Sequence, residues 1–538
     1  MTQHSGLRTQ DLVSAETRTL WEFIERAIAR YADAPALALR DSQPDIRWTY
    51  RELGRRIETA ARQLAARGIG RGDRVLIWGT NRPQWGAAFF ALFRLGAVVV
   101  PLDYRSAPDF VRRVAERTRA KALLADRELS ESFPLEVGPR ILIDDLWEPA
   151  ELEAPPPAEG QADDVVEIVF TSGTTGEPKG VMITNRNLLA NVVAMDRVIH
   201  LHPGWRLVSL LPLSHLFEQT VGLMDVLGSG ACTVYLHTLR PAGILEAINQ
   251  EHATAMLVVP QVLDLFLQGI EREVRRTGKQ RQWEWLHAVA RRLPFGLRRH
   301  LFRPVHRKFG GRFEFFVTGG AALDPELGYR WENMGIKVLQ GYGTTEAAPG
   351  VSVNRLDDRS METVGWPLDG MELKISPDGE VLIRGPQVSP GYWENPETTA
   401  AAFEDGWYKT GDLGELDRRG RLRLKGRKKN LIVLANGQNV YPEDVEAALR
   451  LHPAVKDAVV VGLKRARADV NVHAVLVMHD PERAEEAVKA ANKRLGAHQQ
   501  VRGHSLWPED DFPRTLTMKP RRPVIEEQLR EIGVGETA

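Results

Sequence analysis

VVEIVFTSGTTGEPKG, residues 165–180, joins an apolar, β-branched run to a loop of hydroxyl groups and glycines. Residues 165–170 have the length and composition of a buried strand. The glycines that follow let the backbone curl until its N–H groups converge on an anion, while the hydroxyls and Lys179 add donors and positive charge. The residue order differs from a Walker A loop, which needs Gly-Lys followed by Ser or Thr. The stretch therefore indicates a strand that ends in a phosphate-binding loop, with an ordinary flexible surface loop as the alternative.

Outward from this strand, short β-branched runs alternate with helical patterns. Residues 75–78, a helical pattern at 83–95 and residues 97–100 make one βαβ unit. Further strands, each flanked by helical segments, are predicted at 165–170, 231–236, 255–259 and 313–317. Strands joined through helices pair in parallel and are covered on both faces. The sequence thus predicts an α/β fold built on helix-covered, mainly parallel sheets.

The C-terminal part of the chain has a different pattern. Two short strands are predicted at 457–463 and 471–477, and a charged helix follows at 481–495. With 538 residues, the chain exceeds the roughly 250–300 residues at which a single core stops growing. We therefore predict a large N-terminal domain, residues 1–427, and a small C-terminal α+β domain, residues 428–538.

The composition excludes several classes of protein. The 71 basic residues balance the 71 acidic ones, which argues against a chain that coats nucleic acid. Apolar runs stop well short of the ~18 residues that span a bilayer, and the first residues carry no secretion signal, so a cytoplasmic protein is expected. The single cysteine, Cys232, excludes an intramolecular disulfide and a cysteine metal cluster, and it is predicted to be buried filler.

One stretch, residues 272–312, departs from this charge balance. It packs many Arg and Lys residues around aromatic and leucine side chains such as Trp283, Trp285 and Leu297. This pattern is typical of a segment that lies on an anionic membrane surface, so peripheral membrane contact is one interpretation. The other interpretation is a solvated, amphipathic helix pair that covers the core.

A series of short motifs resembles the signature of a known family. TSGTTGEPKG at 171–180 is followed in order by LPLSH at 211–215, GGAA at 319–322, GYGTTE at 341–346, YKTGD at 408–412, GRKK at 426–429, Asn436-Gly437 with YPE at 441–443, and Lys519. Together they resemble the acyl-adenylate-forming superfamily, which includes acyl-CoA synthetases, nonribosomal-peptide adenylation domains and beetle luciferases. The strings LPLSHLFEQ, VTGGAALDPEL, LQGYGTTEAAPG and KNLIVLANGQNVYPEDVE are most similar to long-chain fatty acyl-CoA synthetases.

The resemblance implies a nucleotide site and the residues that form it. Asp412 has two carboxylate oxygens suited to the ribose hydroxyls, and Arg427 is implied to reach the ribose or a phosphate. Tyr342 is implied to stack on adenine, and Glu346 offers a hard carboxylate for Mg²⁺. The remaining implied nucleotide-binding residues are Thr171, Ser172, Gly173, Thr174, Thr175, Gly176, Lys179, Gly320, Ala321, Gly343 and Thr344.

The resemblance also implies catalytic residues, namely Lys519, Thr345, Glu346 and His215. Lys519 would bring a positive charge to the point where a carboxylate meets the α-phosphate of ATP. His215 is implied to position the carboxylate and to gate the acyl tunnel. Many relatives have Gly just before the catalytic lysine, whereas this chain has Met518.

A mobile C-terminal domain is implied by the same resemblance. Lys429 matches the hinge position, where a few residues absorb the change in backbone dihedral angles. After the domain rotates, Gly437 would approach the pantetheine tunnel, where a side chain would block the thiol. The small C-terminal domain is therefore predicted to be a lid that serves two half-reactions.

These features predict an ATP-dependent ligase that works in two steps. A fatty acid, long-chain by resemblance, becomes acyl-AMP with release of pyrophosphate, and the acyl group then passes to the thiol of coenzyme A. Mg²⁺ is the implied cofactor, with ATP and coenzyme A as cosubstrates. Three alternatives stay open: a ligase that loads an acyl carrier protein, an amino-acid adenylation module, and a nucleotide-binding regulator without catalysis. The sequence leaves open whether the protein is a monomer or a homodimer.

Overall fold

The computed structural model describes most of the chain, namely residues 9, 12–13, 16–40, 45–132, 138–147, 155–171, 178–237, 240–434, 438–464, 470–515, 519–534 and 536–537. The chain divides into two compact units. The first unit comprises Met1–Glu372 and Ile383–Tyr408, and the second comprises Leu373–Leu382 and Lys409–Ala538. The domain boundary predicted at residue 427 stays a prediction.

The larger sheet of the first unit has nine strands among the described residues. Its six central strands are parallel, and antiparallel strands close it at both ends. In spatial order, the strands are Trp366–Pro367, Gly350–Val353, Lys337–Gly343, Phe315–Thr318, Ala255–Val258, Arg206–Ser209, Cys232–Leu236, Pro35–Arg40 and Ile46–Thr49.

A second sheet in the same unit has six strands within the described ranges. All neighbouring strands are parallel except the last two, which form an antiparallel pair on either side of residues 172–178 in sequence. Side chains alternate between two core clusters along one central strand, with Val75 and Ile77 in one and Leu76 and Trp78 in the other. The strands, in order, are Arg140–Leu142, Ala122–Ala125, Arg74–Trp78, Val98–Leu102, Val165–Thr171 and Lys179–Thr184.

Helices cover the faces of both sheets. Helix Pro83–Arg94 packs between the sheets, because it contacts strands of each and shares one core cluster with both. Helix Pro260–Arg276 packs on the outer face of the larger sheet, and Pro108–Thr118 on that of the smaller sheet. The other helices of this unit are Leu20–Arg30, Tyr50–Ala66, Arg127–Ser132, Ile143–Trp147, Asn185–Val198, Glu218–Met224, Asp225–Gly228, Pro241–Gln250, Gln280–Ala290, Phe295–Leu301, Arg303–Lys308, Pro325–Asn333, Thr345–Ala347 and Pro396–Ala402.

The second unit has the smaller α+β structure that the sequence predicts. Helices Pro442–Arg450 and Ala484–Asn492 pack on one face of its main sheet, and Arg522–Glu531 packs on the other. Over the described residues, the strands of that sheet are, in order, Gly503–Leu506, Val470–Met478, Val455–Lys464 and Glu536–Thr537. Shorter elements are Lys428–Asn430, Ile432–Val433, Asn439–Val440 and Pro481–Arg483. The remaining strands are Glu372–Ile375, Glu380–Arg384, Trp407–Leu416 and Leu422–Arg427, most of whose residues belong to this unit, and Phe403–Glu404, which belongs to the first unit.

The predicted α/β fold class is confirmed. The predicted βαβ unit appears as Arg74–Trp78, Pro83–Arg94 and Val98–Leu102. Cys232 is buried, as expected. No helix within the described part of the chain is long and apolar enough to cross a membrane.

The basic stretch 272–312 differs from the predicted helix pair. It contains the end of helix Pro260–Arg276 and three further helices, Gln280–Ala290, Phe295–Leu301 and Arg303–Lys308. Gly278 separates the first two with a φ of 67°, a left-handed conformation that ends helices. Pro294 precedes the third helix, because proline breaks a helix but starts one readily. The stretch is therefore a layer of short helices.

Candidate active site

Two predicted adenine-binding turns lie side by side at the carboxyl edge of the nine-stranded sheet. The parallel strands Phe315–Thr318 and Lys337–Gly343 pair in register, so the chain leaves both at the same edge. A Cβ atom built on Gly319 would lie 3.3 Å from the carbonyl oxygen of Gly341, so the two turns are in backbone contact. Ligands of open parallel sheets bind at this edge. The structure thus brings Gly320 and Ala321 next to the segment that holds Tyr342.

Gly343 occupies a position that admits no side chain. A Cβ atom there would lie 2.2 Å from the carbonyl oxygen of Pro349, which accepts a hydrogen bond from the Thr344 N–H at 2.9 Å. The Thr344 hydroxyl in turn caps the short helix Thr345–Ala347 by accepting a 3.1 Å hydrogen bond from the N–H of Glu346. Hydrogen bonds within residues 343–349 therefore hold the two ends of this turn together.

A buried asparagine holds this turn from the opposite side. The amide of Asn191 donates to the Ala347 carbonyl at 2.8 Å, and its oxygen accepts from the Gly350 N–H at 3.0 Å. Asn191 has no solvent exposure and lies on helix Asn185–Val198. A buried side chain that satisfies two backbone groups fixes their separation, so the position of the Glu346 turn depends on this helix.

Both carboxylate oxygens of Glu346 are oriented by hydroxyl groups. The Tyr392 hydroxyl donates to Oε1 at 2.9 Å, and the Thr344 hydroxyl donates to Oε2 at 2.8 Å. Each oxygen keeps a lone pair for another ligand. Within the described ranges, no group of three His, Cys, Asp or Glu residues could hold a metal by itself. A single half-buried carboxylate fits Mg²⁺, which uses one or two protein carboxylates together with substrate phosphates.

Two tyrosines complete the surroundings of Glu346, and the sequence analysis missed both. Burial and the nearby Glu346 carboxylate raise the pKa of Tyr392 and of Tyr408 well above the usual range, so both hydroxyls stay protonated donors. Tyr408 is part of the YKTGD motif, and Tyr392 follows Gly391 in the string GYWENPE. Neither pattern indicates a contact with Glu346, which is 46 residues from Tyr392 in sequence.

Two of the predicted phosphate-loop residues lie on the antiparallel strand pair of the six-stranded sheet. Thr171 and Lys179 pair directly across these two strands. The Lys179 ammonium lies 5.7 Å from the centre of the Tyr392 ring, which is a cation–π distance. The predicted phosphate ligands between them, Ser172, Gly173, Thr174, Thr175 and Gly176, lie outside the described residues.

His215 lies in a separate polar group of the same unit. Its Nε2 is 3.5 Å from Oδ2 of Asp103, whose carboxylate also accepts hydrogen bonds from Arg105 Nε at 3.0 Å and Nη2 at 2.8 Å. Burial opposes ionisation of Asp103, but the neighbouring His215 side chain and the hydrogen bonds from Arg105 outweigh it and hold its pKa well below the usual range. Asp103 is thus an anion that lies beside the imidazole of His215.

In the second unit, Asp412 and Arg427 face each other across two paired strands. Arg427 Nε lies 2.7 Å from Asp412 Oδ1, and the Asp412 side chain is buried while that of Arg427 is 45% exposed. A shallow cavity of about 320 Å³ is lined by Gly411, Arg427, Lys428 and Lys429. The Lys428 ammonium forms ion pairs with Asp378 and Glu380 in the same unit.

Lys519 and Lys429 belong to the same electrostatic cluster as this ion pair. Partial desolvation lowers the pKa of Lys519, the positive charges of Arg427 and Lys429 lower it further, and Asp412 opposes them. The pKa of Lys429 is also lowered, mainly by desolvation and to a smaller extent by the positive charge of Arg427. Both lysines keep solvent access. Gly437 and Met518 lie outside the described residues.

The chain belongs to the AMP-binding enzyme family. Residues 24–393 match the model of the AMP-binding enzyme, and residues 429–532 match the model of the AMP-binding enzyme C-terminal domain. The long-chain-fatty-acid–CoA ligase FadD15 of Mycobacterium tuberculosis is 33% identical over 553 residues, which cover 89% of this chain and 90% of that protein. The feruloyl-CoA synthase of an Amycolatopsis species is 31% identical over 452 residues, which cover 81% and 84%.

Solved structures of adenylate-forming enzymes share the fold. The o-succinylbenzoate-CoA synthetase of Bacillus subtilis with its acyl-adenylate intermediate has a TM-score of 0.79 and 26% identity, with coverage of 95% of this chain and 98% of that chain. The same enzyme with ATP and a magnesium ion has a TM-score of 0.78, 26% identity and coverage of 94% and 99%.

Family and fold together define an acyl-adenylate-forming enzyme, and the predicted superfamily is confirmed. More narrowly, the chain is an AMP-forming acyl-CoA ligase. Mg²⁺, ATP and coenzyme A, the predicted cofactor and cosubstrates, fit this family. The roles predicted for individual site residues stay predictions.

Proposed function

We propose that this protein converts a long-chain fatty acid to acyl-AMP and then to acyl-CoA. The observation that carries the reaction is the Glu346 turn, which holds a carboxylate suited to Mg²⁺ at the carboxyl edge of a parallel sheet, beside the predicted adenine-binding turns. Support for the acid comes from the 33% identity, over 89% of the chain, to a long-chain-fatty-acid–CoA ligase.

In the first step, a carboxylate oxygen attacks the α-phosphorus of ATP, and the bond from that phosphorus to pyrophosphate breaks. Lys519 offsets the repulsion between the two anions. Thr171 and Lys179 bind the phosphates that leave. Glu346, with Thr345 beside it, would hold Mg²⁺ together with the phosphates, where the ion supplies charge neutralisation.

The nucleoside is held by the residues around Tyr342 and by Asp412. Tyr342 stacks on adenine, and Gly320 lets the backbone approach the base closely. Asp412 accepts hydrogen bonds from the ribose hydroxyls. Its ion pair with Arg427 orients the carboxylate for this task, as a charge-assisted hydrogen bond at 2.7 Å is directional.

His215 positions the fatty acid carboxylate in this proposal. The ionised Asp103 lies 3.5 Å from Nε2 of the ring, and Arg105 holds Asp103 through two hydrogen bonds. A carboxylate beside a histidine ring favours the orientation in which a ring nitrogen faces it, which suits a residue at the entrance of an acyl tunnel.

In the second step, the thiol of coenzyme A attacks the acyl carbon, and the bond to AMP breaks. We retain the prediction that the C-terminal domain rotates about Lys429 between the two steps and that Gly437 then lies by the pantetheine tunnel. A carrier-protein thiol is the competing acceptor, because it presents the same phosphopantetheine chemistry. Activation of an amino acid, and nucleotide binding without catalysis, are two further hypotheses that the exchange experiment below distinguishes.

Carboxylate-dependent ATP–pyrophosphate exchange tests this proposal. The acids to compare are acetate, octanoate, palmitate, oleate, benzoate, ferulate and a mixture of amino acids, with AMP release then measured with coenzyme A and with loaded carrier protein. Exchange with palmitate or oleate, and AMP release with coenzyme A, are expected. Exchange with ferulate or amino acids alone would show that the substrate is a different acid. A preference for carrier protein would show that the acceptor is a different thiol. No exchange with any acid would favour a nucleotide-binding regulator.

We also propose that the basic helices at 272–312 contact an anionic membrane surface. This stretch contains thirteen Arg and Lys residues and two Glu residues in a chain whose total charge is balanced. Trp285 is 63% exposed; the exposed Arg281 lies one helical turn before it, and the exposed Arg292 follows just after the helix ends. Arginines around an exposed tryptophan favour an anionic lipid interface. Fatty acids partition into such membranes.

A further inference from the structure

Residues 389–393, here called the bridging segment, connect the turn that carries Glu346 with the strand that begins at Lys179. The Ser389 N–H donates to the carbonyl oxygen of Glu346 at 2.8 Å. Four residues later, the Trp393 N–H donates to the carbonyl oxygen of Gly180 at 2.7 Å, within the strand that begins at the phosphate-loop lysine. The bridging segment is therefore bonded through its backbone to both the metal-binding turn and the strand that begins at Lys179.

Tyr392, near the end of the bridging segment, contacts both charged side chains. Its hydroxyl donates to Glu346 Oε1 at 2.9 Å, and its ring lies 5.7 Å from the Lys179 ammonium. Its backbone is anchored by a 3.0 Å hydrogen bond from its own N–H to the Thr399 hydroxyl, and the residue is only 7% exposed. Tyr408, also buried, interacts electrostatically with Tyr392 and Glu346. The Tyr392 ring is thus held in one orientation.

Glu346 and Lys179, which contact the hydroxyl and the ring of the same tyrosine, carry opposite charges that attract one another. A direct pair between Lys179 and Glu346 would use the charges that the phosphates and the cation require. The Tyr392 hydroxyl donates a hydrogen bond to the carboxylate of Glu346, and the face of its ring forms a cation–π contact with the ammonium of Lys179.

We propose that Tyr392 is a positioning residue that keeps Glu346 and Lys179 separate and oriented for a nucleotide triphosphate bound with a divalent cation. This inference rests on the proposed function, since it takes Glu346 as the cation ligand and Lys179 as a phosphate ligand. Tyr392 acts through these two residues and does not itself touch the reacting atoms.

The test is Tyr392→Phe in the full-length protein, with binding measured by isothermal titration calorimetry. MgATP affinity is expected to fall about tenfold, because a hydrogen bond to a charged group is lost. Affinity for ATP in EDTA is expected to change by less than about twofold. The matched control is Tyr329→Phe, which removes a tyrosine–glutamate pair with distances of 2.9 and 2.8 Å to the Glu362 carboxylate. The control should leave both affinities unchanged.

A double-mutant cycle with Glu346→Gln separates positioning from a general structural effect. In that background, Tyr392→Phe should have little further effect on MgATP binding, because its partner charge is gone. Equal weakening of ATP and MgATP binding by Tyr392→Phe, no change in either, or additive effects in the cycle would each overturn the proposal. If wild-type protein fails to bind MgATP at all, the proposed function itself is wrong, which this design detects separately.

Discussion

Gly343 illustrates how a single residue determines the geometry of the site. A Cβ atom there would come 2.2 Å from the Pro349 carbonyl oxygen, which is backbone and cannot rotate away. The contact closes the turn that carries Thr344 and Glu346. A methyl group at this position must therefore move the turn.

Gly343→Ala is expected to weaken MgATP binding and to destabilise the protein by about 1–3 kcal/mol, the usual cost of overpacking a tight site. The matched control is Gly269→Ala on helix Pro260–Arg276, where no atom lies within 4 Å of the added Cβ. Alanine there should be neutral or stabilising by up to about 1 kcal/mol. Chemical denaturation and nucleotide titration of both variants check this, and equal behaviour of the two variants would refute the role of the close contact.

The helices between residues 260 and 308 have two different faces. Trp283 on one helix, and Phe302 and Phe309 at the ends of the last two, are buried and join the core cluster on the outer face of the nine-stranded sheet. Trp285 and Leu297 are instead 63% and 52% exposed. The inner face explains why the helices form, since its apolar burial stabilises them. The exposed tryptophan and the arginines around it have no such packing role.

The double variant Arg281→Glu with Arg292→Glu is expected to reduce binding to phosphatidylglycerol vesicles at least about tenfold, since each basic residue contributes about 1 kcal/mol near an anionic surface. Vesicle co-sedimentation at low and high salt measures the effect, which salt should diminish. The matched control reverses two other exposed arginines, Arg55 and Arg418, with the same change in net charge. Binding that ignores lipid charge, or an equal loss in the control, would contradict the proposed membrane contact.

At the scale of the whole molecule, the two half-reactions place different demands on Lys519. Adenylation joins two anions and needs a positive charge, whereas thiolysis joins a neutral thiol or thiolate to an activated acyl group. Desolvation and the charges of Arg427 and Lys429 lower the pKa of Lys519 below its ordinary value. The ammonium is thus present at low pH and is lost, as pH rises, earlier than for a lysine in water.

Lys519→Ala is expected to reduce adenylation severely and to spare thiolysis of supplied acyl-adenylate. In the wild type, adenylation should decline with rising pH below the ordinary pKa of lysine, and Lys519→Arg should retain its charge through this range. Pyrophosphate exchange and thioester formation, each measured as a function of pH, check both statements. A parallel loss of the two half-reactions in Lys519→Ala would count against the assigned role.

The sequence predicted the features that depend on local pattern. Alternating strands and helices indicated an α/β fold, since the burial of each strand between helices is visible as an apolar run. The ordered motifs identified the superfamily, and glycines such as Gly320 marked turns that lie where strands end. The short helices of 272–312 were less predictable, because Gly278 and Pro294 divide an otherwise continuous apolar and basic pattern.

The tertiary structure alone decided which side chains meet around the charged groups. Tyr392 donates a hydrogen bond to Glu346, from which it is 46 residues away in sequence. Asp103, which follows the strand Val98–Leu102, lies beside His215 from a distant part of the chain. Such contacts depend on how sheets and helices pack, and no periodicity along the chain records them. What the sequence determined by itself was therefore the family, the fold class and the charged residues available for chemistry. Their orientation came from packing, because a hydrogen bond requires a position in space that only the folded core defines.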